Sequence, residues 1–177
     1  MKGALQAVVR PFFGICTLRT RPQDLPAAQA LFIPAAAIYA ISNAVLAATW
    51  MKPAGAMLSG ALETVLMLLI LHILLAVRRV PGRWIQTGSA ISGTGVLFNL
   101  FGLPLFLLMT RAGASGPWPL AAYLAVLGLL AWNVAVLGHI LRHALSIPML
   151  AGVLLAIGYL WGVSAALSAF FPAQTAA

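Results

Sequence analysis

AMLSGALETVLMLLILHILLAV, residues 56–77, holds only two ionisable side chains, Glu63 and His72, in an otherwise apolar run. Coiled as a helix at about 1.5 Å per residue, it is long enough to cross a hydrocarbon core of about 30 Å. It is preceded by MKPAG (51–55) and followed by RRVPG (78–82), which supply the charge, proline and glycine that end helices and favour turns. Residues 28–50, 84–109, 118–141 and 148–171 repeat the pattern, and RAGASGP (111–117) and RHALSI (142–147) separate the later runs. Connections this short predict antiparallel hairpins between neighbouring spans.

Composition agrees with this reading. Of 177 residues 63% are hydrophobic and 7% charged, whereas an ordinary soluble domain carries about 25% charged residues. The expected class is an all-α, polytopic membrane protein, a bundle of five transmembrane helices. Residues 1–27 form an N-terminal segment, 28–171 the membrane domain and 172–177 a short tail. The net charge of +8 comes from ten Lys and Arg scattered through short loops. They make neither a basic stripe nor an aromatic-interleaved patch, so no nucleic-acid partner is expected. One cysteine, Cys16, excludes an internal disulfide and a cysteine-rich metal site.

In the N-terminal segment, Arg10 and Pro11 interrupt the apolar character and leave pieces too short to span, which also argues against a cleaved signal peptide. An interfacial helix is predicted, with Phe12, Phe13, Ile15 and Leu18 in the acyl boundary and Arg10, Arg19 and Arg21 reaching the headgroups. Eight basic residues (Lys2, Arg10, Arg19, Arg21, Arg78, Arg79, Arg83, Arg142) fall on one side of the five spans, and Lys52 and Arg111 fall on the other. Retention of basic loops in the cytoplasm then puts the N-terminus inside and the tail outside. Trp50, Trp84, Trp118 and Trp161 lie at or near span ends, as interfacial rings do.

Glu63 is the only acid within a span, and an ionisable group near the bilayer centre costs at least about 2.5 kcal/mol. In a hairpin of the first two spans Asn43 falls at similar depth. A hydrogen bond between them, extended by Ser42, Thr64 or Asn99, is the structural expectation. A proton-binding or polar-ligand role for Glu63, Asn43 and Asn99 is the functional one. The stretch TGSAISGTG (87–95), with Asn99 and Pro104 beyond it, permits either close helix packing or a broken-helix transport site. Gly158, Gly162 and Ala166 in GYLWGVSAA form a second small-residue stripe suited to packing.

His139 and His143 stand one turn apart, with His72 approaching the same end, but no carboxylate or cysteine completes a metal site. No metal or other cofactor is expected. Arg19, Arg21, Arg78, Arg79, Arg83 and Arg142 determine topology and are candidates for contact with anionic lipids or a partner. Asp24, between Pro22 and Pro26, could present a fixed turn. The sequence contains no Gly-x-Ser-x-Gly elbow, phosphate loop, paired carboxylates or His-Glu-x-x-His motif.

WNVAVLGHILRHALSI (132–147), through Trp132, Gly138, His143 and Ser146, and VVRPFFGI (8–15) resemble the bacterial branch of the Yip (Ypt-interacting protein) domain family. Pro148 and Met149 depart from that pattern, where small or basic residues are more usual. The resemblance covers residues 8–171 and implies five spans, a cytoplasmic N-terminus and a non-enzymatic organiser of membranes. GTPase binding by eukaryotic relatives uses a long cytoplasmic N-terminal region without counterpart here, and is not carried over. The first expectation is a scaffold or adaptor that meets membrane lipids, other membrane proteins or a second copy, in a bacterial inner membrane. A small transporter or channel subunit is the second, and an intramembrane enzyme the third.

Overall fold

The computed structural model describes residues 10–111 and 118–171, without the side chains of residues 110, 111, 118 and 119. Lys2, the side chains of Arg111 and Trp118, and the tail 172–177 lie outside the described residues. A short helix, α1 (residues 10–16), and a 3-10 turn at Pro22–Asp24 lead into α2 (Gln29–Ala47) and α3 (Pro53–Val77). A second 3-10 turn, Pro81–Arg83, precedes α4 (Trp84–Arg111), α5 (Trp118–Leu145) and α6 (Met149–Phe170). Helices α2 to α6 are each long and apolar enough to cross a membrane. Their outward faces carry Val77, Leu150 and Trp161, each more than 70% exposed. A coat of this kind suits lipid, and the chain is a multi-pass integral membrane protein.

The order around the bundle is α3, α2, α4, α5, α6, with a thinner seam where α6 returns to α3. Glycine sets the two closest crossings. A Cβ at Gly60 would strike the backbone of Ala40 and Ala44, so α3 lies directly on α2 there. Gly138 and Gly152 bring α5 and α6 together in the same way, each against the other helix's backbone. Such approaches increase van der Waals contact, the main attraction between helices where lipid replaces water.

The glycines of residues 87–95 serve a different purpose. Rings from neighbouring segments lie on them: Phe32 on Gly88, Phe12 on Gly93 and Tyr39 on Gly95. Helix α4 stays continuous through this stretch and through Pro104, so the glycines make room for rings and do not break the helix. The stripe in α6 differs from expectation, because nothing lies within 4 Å of a Cβ added at Gly158 or Gly162. Those two glycines face away from the bundle.

Helix boundaries follow the expected spans, with two informative shifts. The second of the helices, α2, stops at Ala47, and residues 48–51 turn toward Lys52 and Pro53. Helix α5 continues to Leu145 and ends where Ser146 takes φ 54°. Arg142 and His143 therefore belong to its last turn.

The N-terminal segment is drawn into the protein more than predicted. Phe12, Ile15 and Cys16 are buried, with Ile15 fully enclosed, whereas Phe13 and Leu18 remain outward. The Cys16 carbonyl accepts a hydrogen bond from Trp132 Nε1 at 2.9 Å. Trp132 stands thirteen residues before the end of α5, about 20 Å along the helix. The segment thus packs along the flank of α4 and α5 and descends to their arginine-rich end by Gln23.

Candidate functional site

Polar side chains from the facing helices converge inside the ring. Glu63 lies ten residues into α3, about 15 Å from its start, and is half-buried. The hydroxyl of Tyr39, one turn before Asn43 on α2, donates to Glu63 Oε1 at 3.2 Å. Asn99 of α4 donates through Nδ2 to Ser42 Oγ at 2.9 Å and also to Asn43 Oδ1. Asn43 is buried, and its own Nδ2 has no hydrogen-bond partner. That nitrogen is enclosed, with the Tyr39 phenol as its neighbour.

These groups line two adjoining spaces. A vestibule of about 390 Å³ is walled by Asn43 and Trp50 from the α2 side, Ser59 and Glu63 of α3, Asn99 of α4, and Tyr159, Ser164 and Ser168 of α6. Met51 and Phe171 also border it, so it opens toward the end where α2 and α6 finish. A smaller chamber of about 90 Å³ continues inward past Glu63, Asn99 and Tyr159 to Thr94 and Asn133. Beyond it Met67, Leu71, Leu137 and Leu141 leave only about 10 Å³. Leu75, Ile140 and Leu145, all buried, continue that apolar plug to the arginine-rich end.

The predicted trio of Glu63, Asn43 and Asn99 is therefore together, wired differently from expectation. Asn43 pairs with Asn99, and Glu63 pairs with Tyr39. Geometry explains the difference: the phenol extends far enough across the hairpin to meet the carboxyl, and Asn99 approaches Asn43 from α4. Thr64 takes no part, since its hydroxyl donates to Gly60 O one turn back, at 2.9 Å. Tyr39 and Tyr159 escaped the sequence reading. Tyr39 was detectable by its four-residue spacing from Asn43, which puts both on one helix face.

The basic candidates divide. Arg83 Nη1 lies 3.1 Å from His143 O, 2.8 Å from Ala144 O and 3.0 Å from Ser146 Oγ, and Arg78 Nη2 donates to Leu145 O at 3.3 Å. Both satisfy carbonyls at the C-terminus of α5, where a helix leaves acceptors free and its dipole favours cations. Gln23 joins them by donating to His143 O at 2.6 Å. Arg19, Arg21 and Arg79 are exposed, and Arg142 is half-buried. Asp24 is exposed, but its Oδ2 accepts from the Arg21 backbone N–H at 2.8 Å and closes its own turn.

His139 and His143 meet edge to face with ring centroids 4.7 Å apart, and His139 Nε2 lies 3.1 Å from the Thr20 carbonyl. His72 is instead exposed on α3, edge-on to Trp84. Among the described residues no three of His, Cys, Asp and Glu come together. The concentration of polar chemistry is at Glu63. Among the described residues the walls of both spaces contain no Lys, Arg or His. The arrangement offers a carboxyl, phenols, amides and hydroxyls to a bound polar molecule. No protein-family model, curated protein or solved structure matches the chain.

Proposed function

We propose that the protein is a small, non-catalytic transport component that takes a polar solute into the vestibule and holds it against Glu63. The observation that carries this reading is the one-sided polar space: about 390 Å³ open at one end, a single acid at its inner limit, and an apolar plug beyond. Ionisable groups inside membranes mark ion and substrate paths because their burial is otherwise unfavourable. In this reading the arginine-rich end faces the cytoplasm of a bacterial inner membrane and the vestibule opens outside.

Water access to the vestibule tests it. Ser164→Cys and Ser168→Cys, in intact cells, should react with a charged, membrane-impermeant methanethiosulfonate added outside, whereas Leu154→Cys on the lipid-facing side of α6 should not. Failure of both serine positions to label in a folded, monodisperse protein would rule out an outward-open solute path.

A scaffold or adaptor of Yip type is the second reading, supported by the outward Gly158 and Gly162 beside the exposed Leu154 and Trp161. Outward small residues permit close approach of another helix. Crosslinking through Gly158→Cys to a stoichiometric partner or a second copy, with a vestibule that does not label, would favour it over transport.

A further inference from the structure

We infer that the vestibule selects an organic ammonium ion; this rests on the solute-binding reading above. The charge argument comes first. Glu63 is the only acid inside the spans, and among the described residues no basic side chain lines either space to neutralise it. Tyr39 supplies one hydrogen bond to Oε1. A carboxylate so placed is completed by a cation, and an anion would meet uncompensated repulsion in a low-dielectric setting.

The wall then separates an organic ammonium from a bare metal ion. Trp50, Tyr159 and Phe171 border the vestibule, and aromatic faces attract ammonium groups and cover their hydrocarbon parts. A bare divalent ion is usually held by several oxygen ligands, carboxylates prominent among them, whereas here a single carboxylate is joined only by neutral amides and hydroxyls among rings and aliphatic side chains. A space of about 390 Å³ also falls within the range of small-molecule pockets.

The purified protein in detergent is titrated with three probes of nearly equal size: 2-amino-1-phenylethanol, cationic at neutral pH; 1-phenyl-1,2-ethanediol, neutral; and mandelate, anionic. Calorimetry and Trp fluorescence report binding. The amino alcohol should saturate and bind at least about tenfold more tightly than the diol, with mandelate weaker still. Glu63→Gln should remove that preference, and Glu63→Asp should keep part of it.

Equal or tighter binding of the diol or mandelate, a preference that survives Glu63→Gln, or no binding of any probe to folded protein up to about 10 mM overturns the ammonium assignment. Labelling at residues 164 and 168 distinguishes the two levels. With labelling present, only the ligand class fails; with labelling absent, the solute path fails as well.

Discussion

At Gly60 a single added methyl group would fall on the backbone of Ala40 and Ala44, which cannot rotate away as a side chain can. Gly60→Ala should therefore destabilise the bundle by about 1–3 kcal/mol, the range for forcing extra volume into a packed interior. Gly158→Ala, with open space around it, should stay within about 0.5 kcal/mol. Denaturation by SDS followed by Trp fluorescence distinguishes them, and equal effects at the two positions would refute the crossing. Cys16 provides a second test at this scale. It is 3% exposed, and burial pushes its thiol up to about 11. A maleimide at pH 7 should leave the folded protein unmodified and react once SDS opens it. The sign with pH follows: the unfolded thiol ionises near pH 9 while the folded one stays protonated to about 11, so this group lowers stability as pH rises between those values.

Among the elements, α5 depends on groups donated by distant parts of the chain. Arg83 and Gln23 both reach the carbonyl of His143, from 60 and 120 residues earlier in the chain. Arg83→Ala should fray the last turn, residues 142–145, and raise backbone hydrogen exchange there, with a stability loss of about 1–3 kcal/mol from lost charge-assisted bonds. Exchange confined to the native rate would mean that Gln23 and Arg78 suffice. The five long helices were legible because lipid demands a nearly unbroken apolar run, and the loops RRVPG and MKPAG interrupt it sharply. The path of residues 10–25 was not, because Phe12 lies on Gly93 and the Cys16 carbonyl is held by Trp132, both far along the chain. For the same reason Glu63 could be singled out by type alone, but its bond to Tyr39 rather than Asn43 depends on how closely α2 and α3 cross at Gly60. The outward Gly158 could not be told from the inward Gly152 by spacing, since residues 149–158 of α6 are apolar on every face.

For the whole molecule, the placement of charge and the placement of the cavity make a joint prediction. Arg19, Arg21, Arg78, Arg79, Arg83 and Arg142 gather at one end, where the apolar plug closes the bundle, while the vestibule opens at the end bearing Lys52. Basic loops are retained in the cytoplasm during insertion, so the closed end should face inward and the open end outward. The buried Cys16 makes the native chain a silent background for thiol labelling. Lys52→Cys should react in intact cells with a membrane-impermeant maleimide, and Arg79→Cys, equally exposed, only after the membrane is permeabilised. Replacing Arg78, Arg79 and Arg83 together with neutral residues should weaken this bias, because topology follows the asymmetry of Lys and Arg. It should also loosen α5, whose end two of those arginines satisfy. The reverse pattern, residue 79 labelled from outside and residue 52 protected, would turn the vestibule toward the cytoplasm. Glu63 would then meet a cytoplasmic solute, and the direction proposed for its entry would have to be inverted while the site itself remained.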